Sequence, residues 1–210
     1  LRFPVEVIRA VRRAVGDDYA IGIRVSADEF CEGGYTLDDM LEMAPLLVKA
    51  GNLDWVNVTV GIYRSAPTIC TAMYFPVGNF VYCAAAIKQV VDVPVMCVGR
   101  INDPVQAEQI LENNQADLIG ANRSLICDPQ WPNKAKEGRL DEIRKCLGCN
   151  EGCWGRRRLA IGMSCAMNPV VGRETEPGWR DREPAKAKKR VMVIGGGPAG
   201  LEAARVARLR

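Results

Sequence analysis

The chain has 210 residues, of which 48% are hydrophobic and 25% charged, with a net charge of +3. That balance describes a folded globular protein and excludes a disordered one. The charge is too small to argue for nucleic acid, and no apolar run approaches the ~20 residues that cross a bilayer.

Histidine is absent. The commonest general base, a Cys/His zinc site and a Ser-His triad are therefore excluded from this chain. The sequence opens on Leu1, with nothing like a signal peptide, and reads as a piece of a longer protein. Nine cysteines, several tightly clustered, favour metal binding in a reducing, cytoplasmic setting over a disulfide framework.

In chain order, residues 3–15 read as a helix that leads into a strand at 20–25 ("AIGIRV"). A helix over 36–49 follows, with Thr36 and Asp39 as a capping box and Gly51 as its stop. The next strand is 54–60 ("DWVNVTV"), then a helix at 81–91 and a strand at 93–98 ("VPVMCV"). A helix over 103–113 opens with Asp103 as N-cap and Pro104 at its first position. The fourth strand is 116–120, and a last helix spans 128–144. Each strand is short, apolar and bounded by Gly, Asp or Pro, as in parallel sheets covered on both faces. The order is a βα array. Four units do not close an eight-stranded barrel, and a flavodoxin-like open sheet is the alternative on pattern alone.

Arg24 interrupts the first strand. A charge buried there needs an anionic partner, either a core carboxylate or an electron-rich ligand. The ends of the third and fourth strands read "VGRINDP" and "IGANRSLICDP", each placing an arginine (Arg100, Arg123) beside small residues. That arrangement suits a phosphate held by guanidinium and backbone amides.

Cys146, Cys149, Cys153 and Cys165 have the spacing C-x2-C-x3-C-x11-C. Zinc ribbons pair two separate C-x2-C knuckles. Three cysteines crowded together with a distant fourth suit a cubane iron–sulfur cluster instead, with zinc and coincidence as the alternatives. Gly148 and Gly152 let this loop turn tightly and aim amides at sulfur. Cys31, Cys70, Cys83, Cys97 and Cys127 stand singly and read as small core hydrophobes.

Residues 169–190 form a polar connector, and the basic runs at 156–158 and 186–190 read as solvated surface. A fifth strand at 191–194 then runs into "GGGPAG" and a helix. Gly195, Gly197 and Gly200, with Pro198 and Ala199 between the last two, match the strand–turn–helix context of a dinucleotide site. A strand and part of a helix bury no core, so this stretch is expected to open a second domain.

Taken together, "GRINDP", the "R-x3-CDP" segment, "CLGCNEGC", "SCAMNP" and "VIGGGPAG", in that order, resemble the old yellow enzyme relatives that carry a cluster and a second flavin domain. These are the 2,4-dienoyl-CoA reductase and trimethylamine dehydrogenase group. The resemblance implies an α/β fold in which residues 1–144 are the second half of a TIM barrel, strands five to eight, binding FMN. Residues 145–168 would hold a [4Fe–4S] cluster on the four named cysteines, 169–190 would be a linker, and 191–210 would start an FAD/NAD(P)-binding domain.

By the same resemblance, Arg24 contacts the flavin, and Arg100 and Arg123 with Gly99, Ala121 and Asn122 bind the FMN phosphate. Gly195, Gly197, Pro198, Ala199 and Gly200 open an FAD site. The implied enzyme passes electrons from NAD(P)H through FAD and cluster to FMN. The FMN reduces an α,β-unsaturated carbonyl or enoyl thioester, or on the same chassis oxidises an amine. Where the dienoyl-CoA reductases place a histidine, this chain has Tyr63 in "GIYRSAPTI", either a proton donor or an exposed loop residue. The expected partner is a small-molecule substrate, without nucleic acid or membrane, and a homo-oligomer is compatible with it.

Overall fold

The computed structural model describes residues 1–179 and 184–210. The connector expected at 169–190 therefore lies partly outside the described residues. The chain begins with α1 (Arg2–Val15), β1 (Gly22–Ser26), α2 (Leu37–Gly51), β2 (Trp55–Thr59) and the single turn α3 (Ala66–Ile69). It continues through α4 (Val81–Lys88), β3 (Val95–Cys97), α5 (Pro104–Glu112), β4 (Leu118–Ile119), α6 (Arg123–Cys127) and α7 (Trp131–Lys136). After the cysteine segment come α8 (Arg156–Arg158) and α9 (Pro198–Leu209).

The four strands are parallel and lie in the order β1-β2-β3-β4. A flavodoxin-like sheet would place its second strand outside the first. Sequential order instead makes an arc of a barrel wall. The register aligns Val25, Val58 and Cys97 in one row and Arg24, Asn57 and Met96 in the next. The first row is buried in the apolar core with Met40, Ala44 and Leu47 of α2, Ala84 and Ile87 of α4, and Ile110 of α5. The second row faces a cavity. Burial on both faces holds for β2, where Val56, Asn57 and Val58 are all buried, whereas β1 exposes Arg24 toward the cavity.

Local signals account for several boundaries. Thr36 Oγ1 accepts from the Asp39 amide at 3.4 Å, and the Asp39 carboxylate accepts from the Thr36 amide at 2.7 Å, the reciprocal cap read from sequence. Asp103 caps α5 by accepting from Val105 N at 3.0 Å. Gly51 is not the stop of α2. It is the last helical residue, and the left-handed cap that ends α2 is its neighbour Asn52 (φ 47°). A Cβ on Gly51 would fall 2.1 Å from Ile8 Cγ2, so this glycine admits the close approach of α1.

Two other expectations fail. The helix at 128–144 is broken: α7 ends at Lys136, and Gly138 (φ 72°) turns the chain before a 3-10 turn at Leu140–Glu142. Residues 191–194 form no strand, and Val191, Met192 and Ile194 are exposed. A strand exists only with a neighbour to pair with, and among the described residues none lies beside it. No helix among the described residues is long and apolar enough to cross a membrane.

Candidate functional site

The carboxyl ends of β1 to β4 surround a cavity of about 250 Å³. Its lining contains Arg24, Gly99, Arg100, Ala121, Asn122 and Arg123, so the six residues singled out from separate strands and loops meet at one place. The strand ends bring them together because parallel neighbours in register present equivalent loops on the same side.

Arg24 is exposed to this space, with its Nη2 3.3 Å from Thr59 Oγ1, and it pairs with no carboxylate among the described residues. The core-carboxylate alternative is therefore set aside. Beside it in register lies Asn57, 5% exposed, whose side-chain oxygen has no hydrogen-bond partner. Arg100 sits at φ 54°, and its Nη1 donates to the carbonyls of Met73 and Phe75, while its buried Nε is also without a partner. A buried unpaired acceptor and donor are costly, and both lie on residues that line this cavity. Asn57 was missed in sequence although its signal, a polar residue interrupting "DWVNVTV", is the one that exposed Arg24.

A second cavity lies alongside. Cys146, Cys149, Cys153 and Cys165 all line it, with Ile126, Ala166 and Met167 as apolar neighbours. Among the described residues no three Cys, Asp or Glu side chains converge on a single-ion site. The four thiols instead surround a common space. Burial pushes the Cys146 thiol up, against the Gly148 amide and the Arg123 charge that hold it down. Gly148 reaches this position at φ 75°, and a Cβ on Gly152 would lie 2.5 Å from the Ser164 carbonyl. Both predicted glycines thus sit where a side chain would obstruct the loop.

Side-chain tethers hold this segment against the array. Asp128, 1% exposed, accepts from Lys134 Nζ at 2.6 Å, Arg144 N at 3.0 Å and Gln130 N at 3.1 Å. Asn168, 3% exposed, donates to the Ile126 carbonyl at 2.8 Å, and Asn102 donates to the Cys146 carbonyl at 2.8 Å. Two motifs noticed only as likeness, "CDP" and "SCAMNP", are the anchors at either end of the cysteine loop.

Arg123 and Cys146 line both cavities. Arg123 is spoken for by protein, donating to the Thr71 carbonyl and to Asn150 Oδ1, each at 2.7 Å. Cys70 is half-buried on the wall of the first cavity, which corrects its reading as a core hydrophobe. Cys83, Cys97 and Cys127 are buried, and burial pushes the last two up to about 12. Cys31 is half-buried.

Tyr63 is 78% exposed and lines a separate cavity with Ala66, Trp154, Arg157 and Arg158. Around the glycine turn, α9 starts at Pro198, and a Cβ on Gly200 would lie 2.1 Å from the Gly195 carbonyl. The absence of a side chain at Gly200 admits this tight turn into α9, although the strand expected before it is not formed.

Residues 1–142 match the model of the NADH:flavin oxidoreductase / NADH oxidase family. An NADH oxidase of Thermoanaerobacter brockii is 48% identical over 97% of this chain and 31% of its own length. Among solved structures, a 2-naphthoyl-CoA reductase in complex with 2-naphthoyl-CoA superposes with a TM-score of 0.94 at 34% identity, covering 100% of this chain and 32% of that one. Histamine dehydrogenase from Rhizobium sp. 4-9 gives 0.88 at 30% identity, covering 98% and 30%. The chain spans about a third of the length of the relatives it matches.

Proposed function

Because the chain belongs to the NADH:flavin oxidoreductase / NADH oxidase family, we propose that it supplies the FMN-barrel half and the cluster segment of an iron–sulfur flavoenzyme. In the whole protein, electrons from NAD(P)H would pass through FAD and a [4Fe–4S] cluster to FMN, and on to an α,β-unsaturated carbonyl or enoyl thioester. The observation that carries this reading is the pair of adjoining cavities, one lined by Arg24, Asn57, Arg100 and Arg123, the other by four cysteines, with Cys146 and Arg123 lining both.

The residues fit the groups assigned to them. Bound flavin exchanges electrons singly or in pairs, and a cluster carries them one at a time. Arg24, which lines this cavity, would supply a cation to the negative charge of a reduced ring. The unpartnered oxygen of Asn57 is available to a ring N–H. Gly99, Gly120 and Ala121 leave room for backbone to approach a phosphate. Thiols must be deprotonated to bind metal; burial raises the Cys146 thiol, and the Gly148 amide and Arg123 offset part of that rise. Three cysteines within eight residues and a distant fourth depart from the paired C-x2-C knuckles of a zinc ribbon, which supports the cluster reading. The turn from Gly195 to Gly200 is assigned to FAD.

Likeness to the histamine dehydrogenase keeps amine oxidation as the second reading. The three arginines of the cavity, with no carboxylate among the described residues, suit the anionic FMN that both readings share. The higher likeness to the 2-naphthoyl-CoA reductase, a TM-score of 0.94 against 0.88, supports the first.

The test is elemental and kinetic. Anaerobically purified full-length protein should hold iron and acid-labile sulfide in a cubane ratio with two flavins, and should oxidise NAD(P)H only when an enoyl thioester or unsaturated carbonyl is added. Zinc in place of iron, or turnover of amines alone, overturns the reading.

A further inference from the structure

The wall between the two cavities is fastened at Asn150, which follows Cys149. Its backbone is left-handed (φ 62°), a conformation asparagine tolerates better than most residues. The Asn150 carbonyl accepts from Gly155 N at 2.7 Å, closing the turn that carries Cys153. The side chain then leaves its own segment. Its Nδ2 donates to the Cys70 carbonyl at 2.6 Å, and its Oδ1 accepts from Arg123 Nη1 at 2.7 Å and from Cys70 Sγ at 3.4 Å. Arg123 is pinned from the other side by the Thr71 carbonyl at 2.7 Å, and Thr71 is 3% exposed. One amide thus joins the cysteine loop to a segment eighty residues earlier and to the cation that borders both cavities.

We propose that Asn150 is the positioning residue for electron transfer across this wall: its amide fixes the Cys70 carbonyl and Arg123, and with them the spacing and charge between flavin and cluster. The inference rests on the two-cofactor reading above. Two single-electron transfers would carry across the wall the pair that NAD(P)H gives up, with protons reaching the flavin from solvent. Asn150 itself gains and loses nothing. A side chain that donates in one direction and accepts in the other is required, because the groups it joins are a carbonyl and a guanidinium. A hydrogen bond that includes an ionised partner is about twice as strong as a neutral one, so this knot adds a charge-assisted bond to the neutral tethers of Asn102 and Asn168.

Two variants of the full-length protein separate the contributions. Asn150→Gly keeps the left-handed backbone and removes the amide. Asn150→Asp keeps shape and acceptor, loses the Nδ2 donor and adds a negative charge beside Arg123. Iron, sulfide and flavin contents are measured first, then both midpoint potentials by spectroelectrochemistry. FMN bleaching after NAD(P)H addition is followed by anaerobic stopped flow.

Asn150→Gly is expected to retain iron and both flavins, to keep its rate of FAD reduction, and to slow FMN bleaching by roughly tenfold or more. Asn150→Asp is expected to move both potentials to more negative values, since added negative charge opposes electron uptake. Wild-type potentials and transfer rates in both variants overturn the proposal, and so does loss of iron in both, which would make Asn150 a folding residue. Absence of iron from the wild-type protein would instead sink the two-cofactor reading, before any variant is compared.

Discussion

The cavity at the strand ends and the cavity of the thiols adjoin, yet they are built in different ways. The first takes its geometry from the sheet: parallel strands in register set Arg24, Asn57 and Met96 side by side, and the backbone ladder does the positioning. The second has no ladder. Its wall is a loop of turns held to the array by Asp128, Asn168, Asn102 and Asn150. A site on strands is stable before any ligand arrives, whereas a site on tethers depends on each of a few hydrogen bonds and on what fills it.

That contrast can be broken or sharpened by substitution. The largest effect is expected from Cys149→Ala, which should abolish the visible absorbance and iron content attributed to the cluster while leaving FMN bound. Loss of FMN as well would show that the two cavities are not independent.

Next comes Asp128→Asn, which leaves Lys134 facing an uncharged partner at an anchor of the tethered loop. Removing one member of a buried pair should cost about 3 kcal/mol in denaturant unfolding. The same residue gives a pH signature. Burial raises its pKa, but hydrogen bonds from Lys134 and the amides of Arg144 and Gln130 outweigh it and hold the carboxylate below its usual value. Its contribution is therefore complete above about pH 4 and is lost as pH falls through the native value. The asparagine variant should flatten that acid limb, which denaturation at a series of pH values would detect.

Arg24→Gln tests the sheet-built cavity. It should lower the FMN midpoint potential by the equivalent of about 2 kcal/mol, with the cluster potential unmoved; equal shifts in both would mean that the cavities share one electrostatic field. Thr36→Ala, at the cap of α2, is the smallest change. It should cost about 1 kcal/mol of stability and leave both cofactor spectra as they were.

The contrast also explains what was legible in the sequence. The four strands, the Thr36–Asp39 box and the Asp103–Pro104 start were legible because alternation, capping and proline act within a few residues of themselves. Gly51 was misread because its reason lies in Ile8 on another helix. The helix expected at 128–144 failed because Asp128 draws the Arg144 amide back to itself, and Gly138 turns the chain between them. In the candidate site, Arg24, Arg100 and Arg123 were exposed by charge in apolar or glycine-rich surroundings. Asn57 carried the same signal in a milder form. Nothing local marks Asn150, whose partners lie at Cys70 and Arg123.

The sequential strand order has a practical consequence. β1 and β4 are the outermost strands of the sheet, and among the described residues no strand pairs with the outer side of either. Such margins recruit other chains. Material limited to these 210 residues is accordingly expected to self-associate in solution, and soluble handling calls for covering both margins, by co-expression with the complementary barrel strands.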